Sequence, residues 1–137
     1  MSLYKLYFSS GATVIALPIN PEKLPETLSA DNGTYKDTLV HAAKQMAEEY
    51  SDAMNYASMA MDYKTVCPYA SSEWYKLSGE EMEHADANRR IAQKILTGVD
   101  SEDSAAGVEL HHMWSMAEDL VSGLCEAVTK ERSAYMR

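Results

Sequence analysis

The feature that most constrains the fold is a helical repeat of apolar side chains that covers the chain from about residue 31 and is broken twice. Apolar residues recur there at alternating steps of three and four, a spacing typical of amphipathic α-helices. The breaks fall at Pro68 and Gly98, and proline and glycine both interrupt or end helices. The sequence therefore predicts an all-α chain with three long helices.

Residues near the breaks predict where each helix begins. Thr34 can cap the first helix, which we expect to end before Pro68. The Ser-Ser-Glu stretch at 71–73 is typical of the start of a second helix, which we expect to stop at Gly98. Ser101 can cap the third helix, whose first turn is then rich in acidic residues that suit the helix dipole.

The first 30 residues differ in character from the rest of the chain. They are rich in aromatic and β-branched residues, and Pro18, Pro21 and Pro25 forbid a continuous helix. We expect residues 1–30 to form an extended N-terminal arm and residues 31–137 to form one helical domain.

Charge and cysteine content exclude several classes of function. The chain of 137 residues has a formal net charge of -9, whereas nucleic-acid binding normally needs a basic surface. Its two cysteines, Cys67 and Cys125, do not form a disulfide framework, which favours a reducing compartment. The longest apolar run, residues 12–18, is too short to span a membrane. We expect a cytoplasmic protein with no nucleic-acid or membrane partner.

Ionisable residues interrupt the apolar stripes of the first two helices. The stripe of the first helix contains Leu39, Ala42, Met46, Glu49, Ala53, Tyr56, Ala60 and Tyr63. The stripe of the second helix contains Trp74, Leu77, Glu81, His84, Asn88, Ile91 and Ile95. The third helix has an apolar face of Leu110, Trp114, Ala117, Val121, Leu124 and Val128. We expect all three stripes to face a common core.

Three of the interrupting residues are expected to meet. If the first two helices form an antiparallel hairpin, Glu49 and Glu81 lie at the same height, because their midpoint is residue 65, next to the break. Glu81 and His84 are three residues apart and share a helix face. Buried carboxylates are normally paired or bound to metal. Metal-binding helical bundles use such Glu and Glu-x-x-His units, so these residues predict half of a two-metal site.

The sequence leaves open how this half site is completed. Two chains can pair, each contributing Glu49, Glu81 and His84. Alternatively, Glu118 of the third helix completes the site within one chain, because the midpoint between its position and the Glu81 level is about residue 100, where the second turn is expected. A further alternative needs no metal: the same residues then form an ionic network that fixes the helix register.

Two motifs resemble those of the ferritin-like superfamily, which includes ferritins and bacterioferritins. The stretch EEMEHAD at 80–86 is similar to the E-x-x-H-A motif of that family. The stretch EEYSDAMNYASM at 48–59 shows the family's glutamate followed seven residues later by tyrosine. The resemblance covers roughly residues 40–97. A ferritin continues with a long crossover and two more helices, whereas in this sequence only residues 99–101 separate the second helix from the third, and no fourth long helix is predicted.

The resemblance implies a di-iron protein that binds and oxidises ferrous iron with dioxygen or peroxide, as a ferroxidase in iron handling or storage. It implies Glu49 as a terminal or bridging carboxylate, Glu81 as the bridging carboxylate, His84 as the nitrogen ligand and Tyr56 as a hydrogen-bonding neighbour of the site. Manganese suits the same ligands. The similarity to two-helix encapsulated ferritins implies a ferritin-like bundle completed by dimerisation, in a homo-oligomer. The alternatives are a di-metal oxidase or peroxidase acting on another substrate, and a metal-free structural or interaction protein.

Overall fold

The computed structural model describes residues 32–99 and 105–137, and every regular element in these ranges is an α-helix. The helices are, in chain order, α1 (Asn32–Asp62), α2 (Pro68–Thr97) and α3 (Ala105–Tyr135). The prediction of an all-α chain with three long helices is confirmed for this part of the molecule. The expected arm at residues 1–30 and the expected cap at Ser101 lie outside the described residues.

The start of α2 differs from the prediction. Helix α1 ends at Asp62, before Pro68, and Pro68 is the first residue of α2. Proline suits the first position of a helix, where its missing N–H would have no helical partner. The prediction that residues 71–73 start this helix was wrong. Ser71 lies inside α2, is fully buried, and its Oγ donates a hydrogen bond to the Ala60 carbonyl at 2.5 Å.

Helices α1 and α2 form an antiparallel hairpin, joined by a turn at residues 63–67. Ser71 of α2 contacts the carbonyl of Ala60, and Ser78, seven residues further on, donates to the carbonyl of Ala53 at 2.7 Å. Each step of seven along α2 thus matches a step of seven backwards along α1. These two hydrogen bonds set the register of the hairpin.

The buried stripe of α2 consists mostly of small residues. It contains Ser71, Ser78, Ala85, Ala92 and the larger Ile95. Of the apolar residues predicted to line the inner face, Ile95 is confirmed, Trp74 and Leu77 are half-buried, and Ile91 is 47% exposed, so the prediction was wrong for Ile91. The predicted stripe residue His84 is also exposed. Small side chains at intervals of seven let the two helix backbones approach closely, and this close approach turns the larger residues to the side of the contact.

Helix α3 packs mainly against α1, and its backbone approaches that of α2 at few points. The predicted inner face is confirmed for Leu110, Trp114, Ala117, Val121 and Val128, all of which are buried. Leu124, the remaining member of that stripe, is 38% exposed. Within the described ranges, no helix is both long and apolar enough to cross a membrane.

Aromatic contacts fasten the end of α3 to the hairpin turn. The Tyr135 ring stacks on the Tyr75 ring with 4.4 Å between centroids, and its hydroxyl lies 3.1 Å from Ser71 Oγ. Lys64, in the turn, donates a hydrogen bond to the main-chain carbonyl of Tyr135 and lies over its ring. The orientation of α3 on the hairpin is therefore fixed at this end by side chains of α2 and of the turn.

Candidate metal centre

The hairpin register brings Glu49, Glu81 and His84 to one level. Because Ser78 pairs with Ala53, Glu81 lies opposite residue 50 of α1, next to Glu49. His84 follows one turn after Glu81 on the same side of α2, as the spacing of three requires. Each of the three residues offers one ligand atom, and these atoms all lie within 4.8 Å of one another.

The distances within this group are close to those around a metal ion. His84 Nδ1 lies 3.5 Å from Glu81 Oε2 and 3.7 Å from Glu49 Oε2. Both separations are too long for a good hydrogen bond. Ligand atoms about 2.1 Å from one ion are separated by about 3.0 to 3.4 Å in octahedral or tetrahedral geometry. The two distances from His84 therefore exceed those around a bound ion by a few tenths of an ångström, and all three ligand atoms lie within 4.8 Å of one another.

The three side chains sit at the edge of the hairpin. The side chains of Glu49 and Glu81 are 17% and 18% exposed, whereas that of His84 is 61% exposed. The carboxylates are thus largely covered by protein, and the imidazole marks the side that opens to solvent. An ion bound here would have three protein ligands on one side and open coordination positions on the other.

The proximity of two carboxyl groups changes the acidity of Glu49. Its pKa is raised from 4.5 to about 7, first because its carboxyl group shares a hydrogen bond with Glu81, and then because of burial and the negative charge of Glu81. His84 acts in the opposite direction. Near neutral pH, the Glu49 carboxyl therefore exchanges readily between holding a proton and offering a charged oxygen to a cation.

The structure does not bring Glu118 to this group. The Glu118 carboxylate accepts a hydrogen bond from Arg89 Nε at 2.9 Å, and Arg89 also pairs with Asp86 at 3.2 Å. Arg89 and His84 are five positions apart on α2, which places them about 140° apart around the helix axis. Helix α3 therefore packs on a different side of α2 from Glu81 and His84.

Tyr56 lies two turns beyond Glu49 on α1 and is half-buried. Within the part of the chain that the structure describes, its hydroxyl forms no hydrogen bond to Glu49, Glu81 or His84. A role for Tyr56 as a hydrogen-bonding neighbour of the site remains a prediction.

Sequence reasoning missed a polar cluster on the opposite side of the hairpin. Tyr50 is 1% exposed, and its buried hydroxyl lies close enough to Arg89 and Cys125 to interact with both, although neither contact has good hydrogen-bond geometry. Burial raises the pKa of Tyr50 to about 12. The sequence signal for this cluster is Arg89, because its place in the helical repeat of α2 puts a charged residue on nearly the same side as the buried residues Ser78 and Ala85.

No family model, no curated protein and no solved structure matches this chain. The ferritin-like resemblance therefore rests on its two sequence motifs. The grouping of Glu49, Glu81 and His84 is a separate observation, made from the coordinates of α1 and α2.

Proposed function

We propose that two copies of the chain pair across the Glu49, Glu81 and His84 face, bind two ferrous ions between them and oxidise these ions. The observation that carries the proposal is the convergence of three ligand atoms from two helices within 4.8 Å. Carboxylates brought together in this way repel one another, and a bound cation removes that repulsion while satisfying the oxygens.

The ligand chemistry favours iron or manganese. Carboxylate oxygens are hard ligands, imidazole is of intermediate softness, and no thiolate belongs to the group. Soft ions that prefer sulfur are therefore poor candidates. Among the remaining ions, iron has the redox chemistry that the motif resemblance implies, with manganese as the competing ion.

A second copy is proposed because three ligands are half of what a two-ion site needs. Bundles of this type take a glutamate from each of two helices and a Glu-x-x-His unit from each of two others. One chain provides one unit of each kind. The α1 and α2 surface around His84 is not covered by α3, since α3 packs on the Arg89 side.

An exposed apolar residue on the same helix face supports pairing on this surface. Ile91 is 47% exposed and lies two turns after His84 on α2, about 10 Å along the helix axis. Tyr63, in the turn after α1, is 43% exposed and packs edge-on against Trp74 with 5.0 Å between ring centroids. Burying exposed apolar area of this kind against a partner is favourable.

In the proposed centre, each residue has a defined task. Glu81 would bridge the two ions, Glu49 would bind one of them at its side, and His84 would donate a neutral ring nitrogen. Two ferrous ions, as substrates, would each give up one electron and become ferric, and these two electrons with two protons from solvent would reduce one dioxygen to hydrogen peroxide. Glu49 must lose its proton to bind a cation, so proton release accompanies metal uptake.

Metal stoichiometry tests the proposal directly. Protein reconstituted anaerobically with ferrous iron is desalted, and its iron is determined by elemental analysis, alongside Glu81→Gln and His84→Ala variants. We expect about one iron per chain in the original protein and at most about a tenth of that in either variant. Glu83→Gln and His112→Ala change exposed residues of the same types and should retain the iron.

Three other results would contradict the proposal in different ways. Two irons per chain would place a complete site within one copy. Iron bound equally by the variants would place it elsewhere. No iron or manganese above background would leave Glu49, Glu81 and His84 as an ionic network within a structural protein. If the protein binds iron, dioxygen consumption after iron addition distinguishes a centre that oxidises the iron from one that only binds it.

A further inference from the structure

A pocket lies in the groove between α2 and α3, near the end of α3. Its volume is about 320 Å³, which is at the lower end of the range of about 300 to 1,000 Å³ for ligand pockets. It is lined by Tyr75, Met82, Thr129, Arg132, Ser133 and Met136. None of these residues belongs to the candidate metal centre. The pocket thus combines apolar side chains, two hydroxyl groups and one cation.

The cation of this pocket, Arg132, is held in one position by α2. Its Nη1 donates a hydrogen bond to the main-chain carbonyl of Tyr75 at 2.8 Å. Its guanidinium carbon lies 4.1 Å from the centre of the Tyr75 ring, a favourable cation–π distance. The guanidinium group is therefore fixed from two sides by the same residue.

Gly79 provides the space for this arrangement. A Cβ atom at position 79 would lie 3.1 Å from Arg132 Nη2, closer than nearly all such contacts in proteins. Glycine is the least favourable residue inside a helix apart from proline. Helix α2 thus contains an unfavourable residue at the point where a side chain would push the guanidinium group away.

Arg132 has no carboxylate partner among the described residues. Arg89, by contrast, pairs with both Glu118 and Asp86. The hydrogen bond to the Tyr75 carbonyl uses one of the five N–H groups of Arg132. The half-buried guanidinium group therefore has donors left for an anion that enters the pocket.

We propose that this pocket binds a small carboxylate with an apolar body, such as a medium-chain fatty acid. The planar guanidinium group matches a carboxylate with paired hydrogen bonds. The Tyr75 ring, Met82 and Met136 would contact the apolar body, and methionine adapts to varied shapes. The Thr129 hydroxyl already donates a hydrogen bond to the main-chain carbonyl of Cys125, so it adds little to anion binding.

Methyl NMR with octanoate tests this proposal on the full chain. In protein labelled with ¹³C at the methionine methyl groups, we expect octanoate to shift the Met82 and Met136 signals while leaving that of the buried Met46 unchanged. Each signal is assigned by single Met→Leu variants. Arg132→Gln should weaken octanoate binding by about tenfold or more. Lys130→Gln removes the same charge from an exposed position on α3 and should leave the affinity unchanged.

Comparisons of ligands keep the test independent of any variant's folding. Octan-1-ol has the same chain length without the charge and should bind at least about tenfold more weakly than octanoate. Equal binding of octanol, shifts with inorganic phosphate but not with octanoate, or unchanged octanoate affinity in Arg132→Gln would each overturn the proposal. An absence of shifts would mean that Arg132 only fastens α3 to α2. The assay needs no metal, so its outcome is separate from that of the iron experiment.

Discussion

At the scale of single residues, Glu49 is the described group whose acidity is shifted into the physiological range. Its carboxyl group is held against Glu81 by the hairpin register and is largely covered by protein. Neighbouring Glu48 has the same charge but is exposed on the other side of α1. Comparing substitutions of Glu49 and Glu48 therefore separates the effect of the carboxyl pair from the effect of removing one acidic group.

The first prediction concerns the pH dependence of stability without metal. The folded-state pKa of Glu49, about 7, is above its ordinary value of 4.5, so the folded state binds more protons between these values. Its contribution to stability is therefore complete below pH 4.5 and is lost as the pH rises through about 7. We expect the urea unfolding midpoint to fall over this interval, and to fall less in Glu49→Gln.

Glu48→Gln is the matched control and should keep the full decline in unfolding midpoint. A divalent cation that binds the site should reduce the decline, because it compensates the charges that the lost proton leaves behind. An identical pH profile for Glu49→Gln and the original protein would show that the carboxyl pair is not coupled to folding.

The second prediction concerns the buried hydroxyl of Tyr50. This hydroxyl has no hydrogen bond of good geometry to any described residue, and a poorly satisfied buried polar group is unfavourable. Tyr50→Phe should therefore raise the free energy of unfolding by about 1 kcal/mol. Chemical denaturation of both proteins measures the difference. A loss of stability of that size would instead indicate that the hydroxyl is satisfied by a buried water or by Cys125.

At the scale of helices, the small residues of α2 decide which faces meet. The sequence pattern predicted three helices and the level of Glu49 with Glu81, because the break near residue 65 and helical geometry determine both. It did not predict the stripe of Ser71, Ser78, Ala85 and Ala92. Apolar size is a good guide to burial when helices pack at ordinary distances, whereas closely packed helices bury alanine and serine.

The third prediction tests the close packing of α1 and α2. Ser78→Leu places a large side chain against the α1 backbone and removes the hydrogen bond to Ala53. We expect the free energy of unfolding to fall by at least about 2 kcal/mol. Ser72→Leu, at an exposed position on α2, should cost far less. Similar small effects of both substitutions in urea unfolding would mean that the helices can separate at little cost.

At the scale of the whole molecule, the hairpin of α1 and α2 has one side covered by α3 and one side that α3 leaves uncovered. Helix α3 covers one side through contacts with α1 and the Arg89 to Glu118 pair. The other side presents His84 and Ile91. The sequence could not separate these sides, because Glu118 lies on α3 at the correct height for the site. The structure shows that Glu118 instead pairs with Arg89, which points to a different side of α2 from His84.

The fourth prediction tests pairing of two copies through the open side. Ile91→Glu introduces a charge on the helix face of His84, two turns further along α2, at a residue that is already 47% exposed, so the single chain should still fold. We expect it to shift the protein from dimer to monomer in sedimentation velocity and to abolish iron retention. Leu120→Glu changes a residue on α3 that is 44% exposed and should alter neither property. Dissociation by Leu120→Glu alone would place the dimer interface on α3.

The serine contacts between α1 and α2 also limit how this sequence can change over evolutionary time. Helices α1 and α2 both extend from the same turn, so deleting one residue between Glu49 and Asp62 would rotate Glu49 by about 100° around α1 relative to Glu81. Glu49 would then no longer face Glu81. Length changes between homologous chains are therefore expected within the turn at 63–67, or as paired changes of seven residues in both helices. The grouping of Glu49, Glu81 and His84 tolerates a turn of different length. It does not tolerate a change of length in one of the two helices that is not matched in the other.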